Sequence, residues 1–126
     1  VPLTGGAMEG VEAEFAEIIA KPDAAFFLAY EEETAAGFAQ CQLRHDYVEG
    51  TSSSPVGYLE GIFVVPEYQH KGYAKELFHE CELWAKEKGC REFASDCELD
   101  NTQSLKFHLS VGFEEANRII CFTKKL

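Results

Sequence analysis

Residues 63–74 read Phe63-Val64-Val65-Pro66-Glu67-Tyr68-Gln69-His70-Lys71-Gly72-Tyr73-Ala74, and the hydrophobic pattern changes inside that stretch. Before Pro66, Val56 to Val65 has the β-branched and aromatic composition of a strand. After it, Ala74, Leu77, Phe78, Cys81, Trp84 and Ala85 recur at helical spacing. They line one face of a helix running to Lys88, with Gly89 as its C-terminal cap. Strand, tight loop and helix start follow one another. The loop is expected to bind an anion, because N–H groups in the first turn of a helix lack intrahelical partners and lie at the positive end of the macrodipole. Gly72 and Ala74 leave room for phosphate oxygens, and a pyrophosphate suits such a cradle. The spacing lacks both the Gly-Lys-Ser/Thr ending of a nucleotide P-loop and the three glycines of the dinucleotide fingerprint, which argues against ATP and NAD.

Working outward, Val11, Phe15, Ile18 and Ile19 recur at helical spacing from Met8 until Lys21-Pro22, predicting a short amphipathic helix. Ala25 to Tyr30 and Ala36 to Tyr47 read as strands joined by a turn at Glu31-Glu32-Glu33. The Gly/Ser-rich stretch Glu49 to Pro55 then turns the chain into the strand Val56 to Val65, making three antiparallel strands. Beyond the long helix, Cys90 to Ser95 reads as a buried strand. Asn101 to Ser110 reads as a helix capped by Asn101 or Thr102, and Phe113 to Lys124 as one or two closing strands. This order predicts a mixed α/β (α+β) fold, a largely antiparallel central sheet flanked by helices, in one domain over residues 1–126.

The chain has 126 residues, 46% of them hydrophobic, enough for a single core. No apolar run approaches the ~20 residues of a bilayer span, and no basic-then-apolar leader opens the chain, so a soluble cytoplasmic protein without a membrane partner is expected. The five cysteines are odd in number and lack paired zinc spacing; they read as reduced core thiols, and no metal is expected. A net charge of −11 opposes binding to nucleic acid and favours a cationic substrate, although the same balance also serves solubility.

The loop resembles the signature of the GNAT acetyltransferase superfamily, Gln/Arg-x-x-Gly-x-Gly/Ala between a strand and a long helix, with Gln69, Gly72 and Ala74 at the matching positions. A second segment agrees: Asn101 at a helix start, then Phe107-His108 and Val111-Gly112-Phe113, resembling the family's closing aromatic-x-x-x-Leu-Gly-Phe. More narrowly, Val56-Gly57-Tyr58-Leu59-Glu60-Gly61-Ile62, Ala94-Ser95-Asp96 and Asp100-Asn101 look like the aminoglycoside 6′-N-acetyltransferases. The resemblance implies a GNAT-type fold and transfer of acetyl from acetyl-CoA to the 6′-amine of an aminoglycoside, hence antibiotic resistance, commonly in a homodimer. It implies coenzyme A contacts at Gln69, His70, Lys71, Gly72, Tyr73, Ala74 and Lys75, and at Asn101, Ser104 and His108. Backbone groups of Phe63 and Val65 are expected along the pantetheine arm, and a strand N–H near Ile62 or Phe63 at the developing oxyanion.

An amine attacks a thioester only when neutral, so the site needs a proton acceptor and groups that hold a polycation; carboxylates serve both ends. Glu60, in the middle of an otherwise apolar strand and next to Gly61, is the candidate base or water-mediated orienter of the amine. Strand alternation also accommodates it as a solvent-facing residue. Asp96, Glu98 and Asp100 follow the end of a strand, where open α/β sheets place ligands, and are candidates to pair with ammonium groups. Asp100 also suits helix capping. Tyr47, with Asp46, resembles family positions that wall the substrate cleft. Where many GNAT enzymes carry a Tyr near the coenzyme A sulfur, this chain has His108, a candidate acid that equally reads as a helix histidine packed beside the cofactor. A ping-pong route would need an activated thiolate, and neither Cys97 nor Cys121 shows one in sequence, so direct transfer is expected. The family usually opens with a strand and a helix ahead of the helix placed at Met8, and this chain is expected to lack them. Two other readings share the fold: an acetyltransferase acting on a polyamine or protein amine, and a non-catalytic acyl-CoA-binding module.

Overall fold

Ala25, Phe27 and Ala29 are buried while Phe26, Leu28 and Tyr30 between and after them are half-buried, the period of two that sends alternate side chains to opposite faces of a sheet. They belong to β2 (Ala24–Glu31), which pairs antiparallel with β1 (Glu14–Lys21) on one side and β3 (Thr34–Arg44) on the other. β4 (Val56–Val64) pairs antiparallel with β3, and the short β5 (Phe93–Ala94) lies parallel to β4, giving the sheet order β1-β2-β3-β4-β5. The computed structural model describes residues 14–126. The chain divides into two compact units, one reaching Ser95 and the other comprising Asp96–Leu126.

In the first unit a 3₁₀ turn at Pro66–Tyr68 leads from β4 to helix α1 (Tyr73–Glu87), which packs over β2, β3 and β4. Its buried residues are Tyr73, Leu77, Phe78, Cys81, Trp84 and Ala85, a single stripe at helical spacing. The helix ends in a Schellman motif: Gly89 has φ 88°, its N–H donates to the Lys86 carbonyl at 3.0 Å, and the Cys90 N–H donates to the Ala85 carbonyl at 3.0 Å. β3 and β4 approach closely at Gly37, where a Cβ would stand 2.4 Å from the Phe63 carbonyl oxygen and 3.0 Å from the Val64 Cα. Only a glycine permits that contact. The second unit contains helix α2 (Thr102–Ser110).

The long helix, the helix at 102–110, the strand before Pro66 and the hairpin with its turn after Glu31 all agree with the sequence reading. Four expectations are corrected. The helix predicted from Met8 is strand β1 over Glu14–Lys21, while residues 8–13 lie outside the described residues. Phe15 is buried but Ile18 and Ile19 are each 50% exposed, so the three do not share a buried helical face. A bulge between Glu17 and Ile19 inserts one residue into the strand alternation, and the offset imitates helical spacing. No strand is assigned between Phe113 and Lys124: this β-prone segment has no neighbouring strand in its own unit with which to build a ladder. Finally, Cys41 and Cys81 are core thiols, but Cys90 is half-buried and Cys97 and Cys121 are exposed, the last two in segments without regular structure. The expected strand Cys90 to Ser95 contracts to Phe93–Ala94 and is half-buried.

Gly37→Ala forces β3 away from the β4 backbone rather than from a yielding side chain, and is expected to cost about 1–3 kcal/mol of stability, read as a lowered denaturation midpoint in urea.

Candidate active site

The loop between β4 and α1 is shaped by backbone bonds before any ligand is considered. The Val65 N–H donates to the Ala36 carbonyl at 2.8 Å, and the Tyr68 N–H donates to the Val65 carbonyl at 2.8 Å. Gln69 folds its side chain back, Nε2 donating to the Val64 carbonyl at 3.0 Å, so it braces the end of β4. His70 (φ 62°) and Gly72 (φ 92°) are both left-handed, an alternation that lets successive N–H groups line a concave nest. No side chain caps α1, whose first intrahelical bond runs from the Glu76 N–H to the Gly72 carbonyl at 3.1 Å. The N–H groups of Tyr73, Ala74 and Lys75 precede that bond and stand at the positive end of the helix. With Gly72 and Ala74 supplying no bulk, this cradle fits the pyrophosphate of coenzyme A. Lys71 and Lys75 are exposed beside it, and Lys71 is paired with Glu31 at 3.4 Å.

Glu60 occupies a special place in β4. Gln40 pairs with Gly61 and Cys41 with Leu59, which leaves Glu60 as the extra residue of a bulge. Bulges re-aim a side chain and recur beside active sites. The Glu60 carboxylate accepts from Arg44 Nη2 at 3.0 Å, and the Arg44 guanidinium lies 3.5 Å over the Tyr58 ring. Stacking and ion pairing together fix the direction of the carboxylate, which remains 26% exposed. Further along β4, Ile62 is half-buried and Phe63 is 49% exposed, its ring 6.1 Å from that of Phe38. Tyr47 is 76% exposed, donates to Glu49 at 3.3 Å, and follows the exposed Asp46. Cysteine nucleophiles find no support in this unit: a hydrogen bond with Cys41, then burial, push the Cys81 thiol far up, and burial raises that of Cys90.

In the second unit the α2 cap is Asn101, whose side chain accepts from the Ser104 N–H at 3.0 Å. Capping therefore does not occupy Asp100, which is exposed, as are Asp96 and Glu98. His108 Nδ1 lies 2.7 Å from the Ser104 carbonyl and 3.4 Å from the Ser104 hydroxyl, with the ring 5.0 Å from that of Phe113. A carbonyl only accepts, so Nδ1 carries the proton in the neutral ring and Nε2 does not. His108 can give a proton from Nε2 only as the imidazolium.

The sequence pattern does not single out Arg44, Tyr58 or Glu31 for roles in the site. A glycine inside a strand, Gly61, signals the bulge. Nothing in the local pattern signals pairings across 16 or 40 residues.

The chain matches the model of the acetyltransferase (GNAT) family over residues 4–113. It is 46% identical over 113 residues to an aminoglycoside N(6′)-acetyltransferase type 1 of Salmonella typhimurium, covering 90% of this chain and 78% of that relative. It is 39% identical over 122 residues to one of Serratia marcescens, covering 96% and 84%. Among solved structures it resembles AAC(6′)-Iy bound to the bisubstrate analogue CoA-S-monomethyl-acetylneamine, with a TM-score of 0.80, 47% identity, and coverage of 82% and 71%. The same enzyme with CoA gives a TM-score of 0.80 with coverage of 85% and 79%.

Burial, and then the Glu31 carboxylate, push the Tyr73 phenol from 10.0 up to about 12. Below pH 10 the phenol keeps its proton in folded and unfolded chains alike; between pH 10 and about 12 only the folded chain retains it, so stability is lost as pH rises through that window. Tyr73→Phe removes this contribution. The fall in Tm across the same alkaline range, followed by circular dichroism, is expected to be shallower in the variant than in the wild type.

Proposed function

The chain belongs to the acetyltransferase (GNAT) family, and from that membership we propose that it transfers the acetyl group of acetyl-CoA to the 6′-amine of aminoglycosides, a reaction that confers antibiotic resistance. The observation that carries the reading is the uncapped N-terminus of α1 behind two left-handed loop residues, in a chain 46% identical to an enzyme of that name. Bound acetyl-CoA supplies a thioester open to attack by an amine. The loop from His70 to Lys75 holds its pyrophosphate through backbone N–H groups, and Phe63 and Val65 offer backbone groups along the pantetheine arm. A strand N–H at Ile62 or Phe63 donates to the carbonyl oxygen as charge develops there.

Glu60, held by Arg44, orients the amine and accepts its proton directly or through water while the new C–N bond forms and the C–S bond breaks. His108, as the imidazolium, returns a proton from Nε2 to the departing sulfur; a thiol of ordinary acidity leaves readily, so this help is modest. Asp96, Glu98, Asp100 and Tyr47 are the groups we assign to the ammonium-rich acceptor. Asn101 and Ser104 we assign to coenzyme A. The family match spans residues of both units, which supports reading the chain as one catalytic domain. Five free thiols suit a reducing, cytoplasmic compartment, and no described helix is long and apolar enough to cross a membrane. The chain is further assigned to a homodimer, a reading supported by Ile119, Ile120 and Phe122, each more than two-thirds exposed.

Thiol release from acetyl-CoA, measured with and without kanamycin, tests the reaction. Kanamycin-dependent release is expected; release with polyamines or protein amines alone would move the chain to another acceptor class. Glu60→Gln is expected to lower turnover roughly 100-fold while leaving acetyl-CoA affinity nearly unchanged. Full turnover in that variant would remove Glu60 from the mechanism.

A further inference from the structure

Glu31 ends β2, at the turn into β3, and meets the loop on both sides of Gly72. The Lys71 ammonium lies 3.4 Å from each of its carboxylate oxygens and 5.3 Å from the centre of the Tyr68 ring. Tyr73 is 1% exposed, and its phenol oxygen makes no hydrogen bond of ordinary geometry among the described residues, although the Glu31 carboxylate stands close enough to act on it. The carboxylate acts on that phenol electrostatically, as does Tyr68, whose ring meets that of Tyr73 edge to face at 6.3 Å. Three side chains, from the 3₁₀ turn, the loop and the start of α1, thus gather around the one negative charge that β2 supplies.

A carboxylate is the wrong neighbour for a lysine that binds phosphate. It neutralises the ammonium and repels the incoming anion. It is the right neighbour for a lysine that holds a loop in place. We propose that Glu31 is a latch that preorganises the anion cradle, with Lys71 and Tyr73 acting as positioning residues while the backbone N–H groups carry the phosphate contact. This rests on the reading of the loop as the coenzyme A site. It also alters the role expected for Lys71, from ligand to support.

The two roles predict opposite signs for one substitution. If Glu31 is a latch, Glu31→Gln loosens the cradle and weakens acetyl-CoA binding; if Lys71 is a phosphate ligand restrained by Glu31, the same change frees it and tightens binding. Calorimetric titration of acetyl-CoA into the wild type, Glu31→Gln, Lys71→Met and the double variant separates them. The latch predicts roughly 3- to 10-fold weaker binding in each single variant and no further loss in the double. KM for acetyl-CoA should rise more than kcat falls, with KM for the aminoglycoside unmoved. The exchanged pair Glu31→Lys with Lys71→Glu should recover affinity. Tighter binding by Glu31→Gln, additive losses in the double variant, or no recovery in the exchanged pair would overturn the latch. Absence of acetyl-CoA binding by the wild type would instead overturn the reading of the loop itself.

Discussion

Helix α1 can present its N-terminus to an anion because the stripe from Tyr73 to Ala85 is buried against β2, β3 and β4. Burial of those six side chains, rather than any contact at the loop, sets where the positive end of the helix stands. The loop then has only to turn the chain within a few residues, which the left-handed backbone at His70 and Gly72 allows. An N-terminus without a side-chain cap is a cost to an isolated helix. Packing makes that cost tolerable here, and the unmet donors are what a pyrophosphate needs.

The acidic character of the chain acquires a structural meaning at two cations of the candidate site. Arg44 is committed to Glu60 and Tyr58, and Lys71 to Glu31. Neither is a bare positive charge. Partly exposed pairs of this kind add little stability. Their effect lies in direction: Arg44 orients the proposed base, and Lys71 ties the loop to the hairpin turn. Separate elements supply the partners in each case, so the site's geometry is tied to the sheet.

Much of the architecture is legible from local pattern. The switch from β-branched residues before Pro66 to helical spacing after it marks β4, the loop and α1, and the Gly89 cap is visible as a glycine after the last periodic residue. A cap at the start of α2 is also readable, at Asn101 or Thr102 with Asp100 a further candidate, and the structure gives it to Asn101. β1 is not legible, because the bulge at Ile18 turns strand alternation into a spacing that resembles a helix. The tail after Phe113 misleads in the other direction: its residues suit a strand, but a strand exists only where another supplies hydrogen bonds.

The same division runs through the site. By itself the sequence determined the order of elements from β2 to α2, the glycine-lined start of α1, and a carboxylate placed oddly within an apolar strand, because each of these depends on residues a few positions apart. Only the tertiary structure decided that Glu60 sits on a bulge under Arg44, that Gln69 braces β4, and that Glu31 reaches Lys71 across 40 residues of chain. Those facts depend on register and on the packing of α1 against the sheet. Register is a property of paired strands, and no window of one strand contains it.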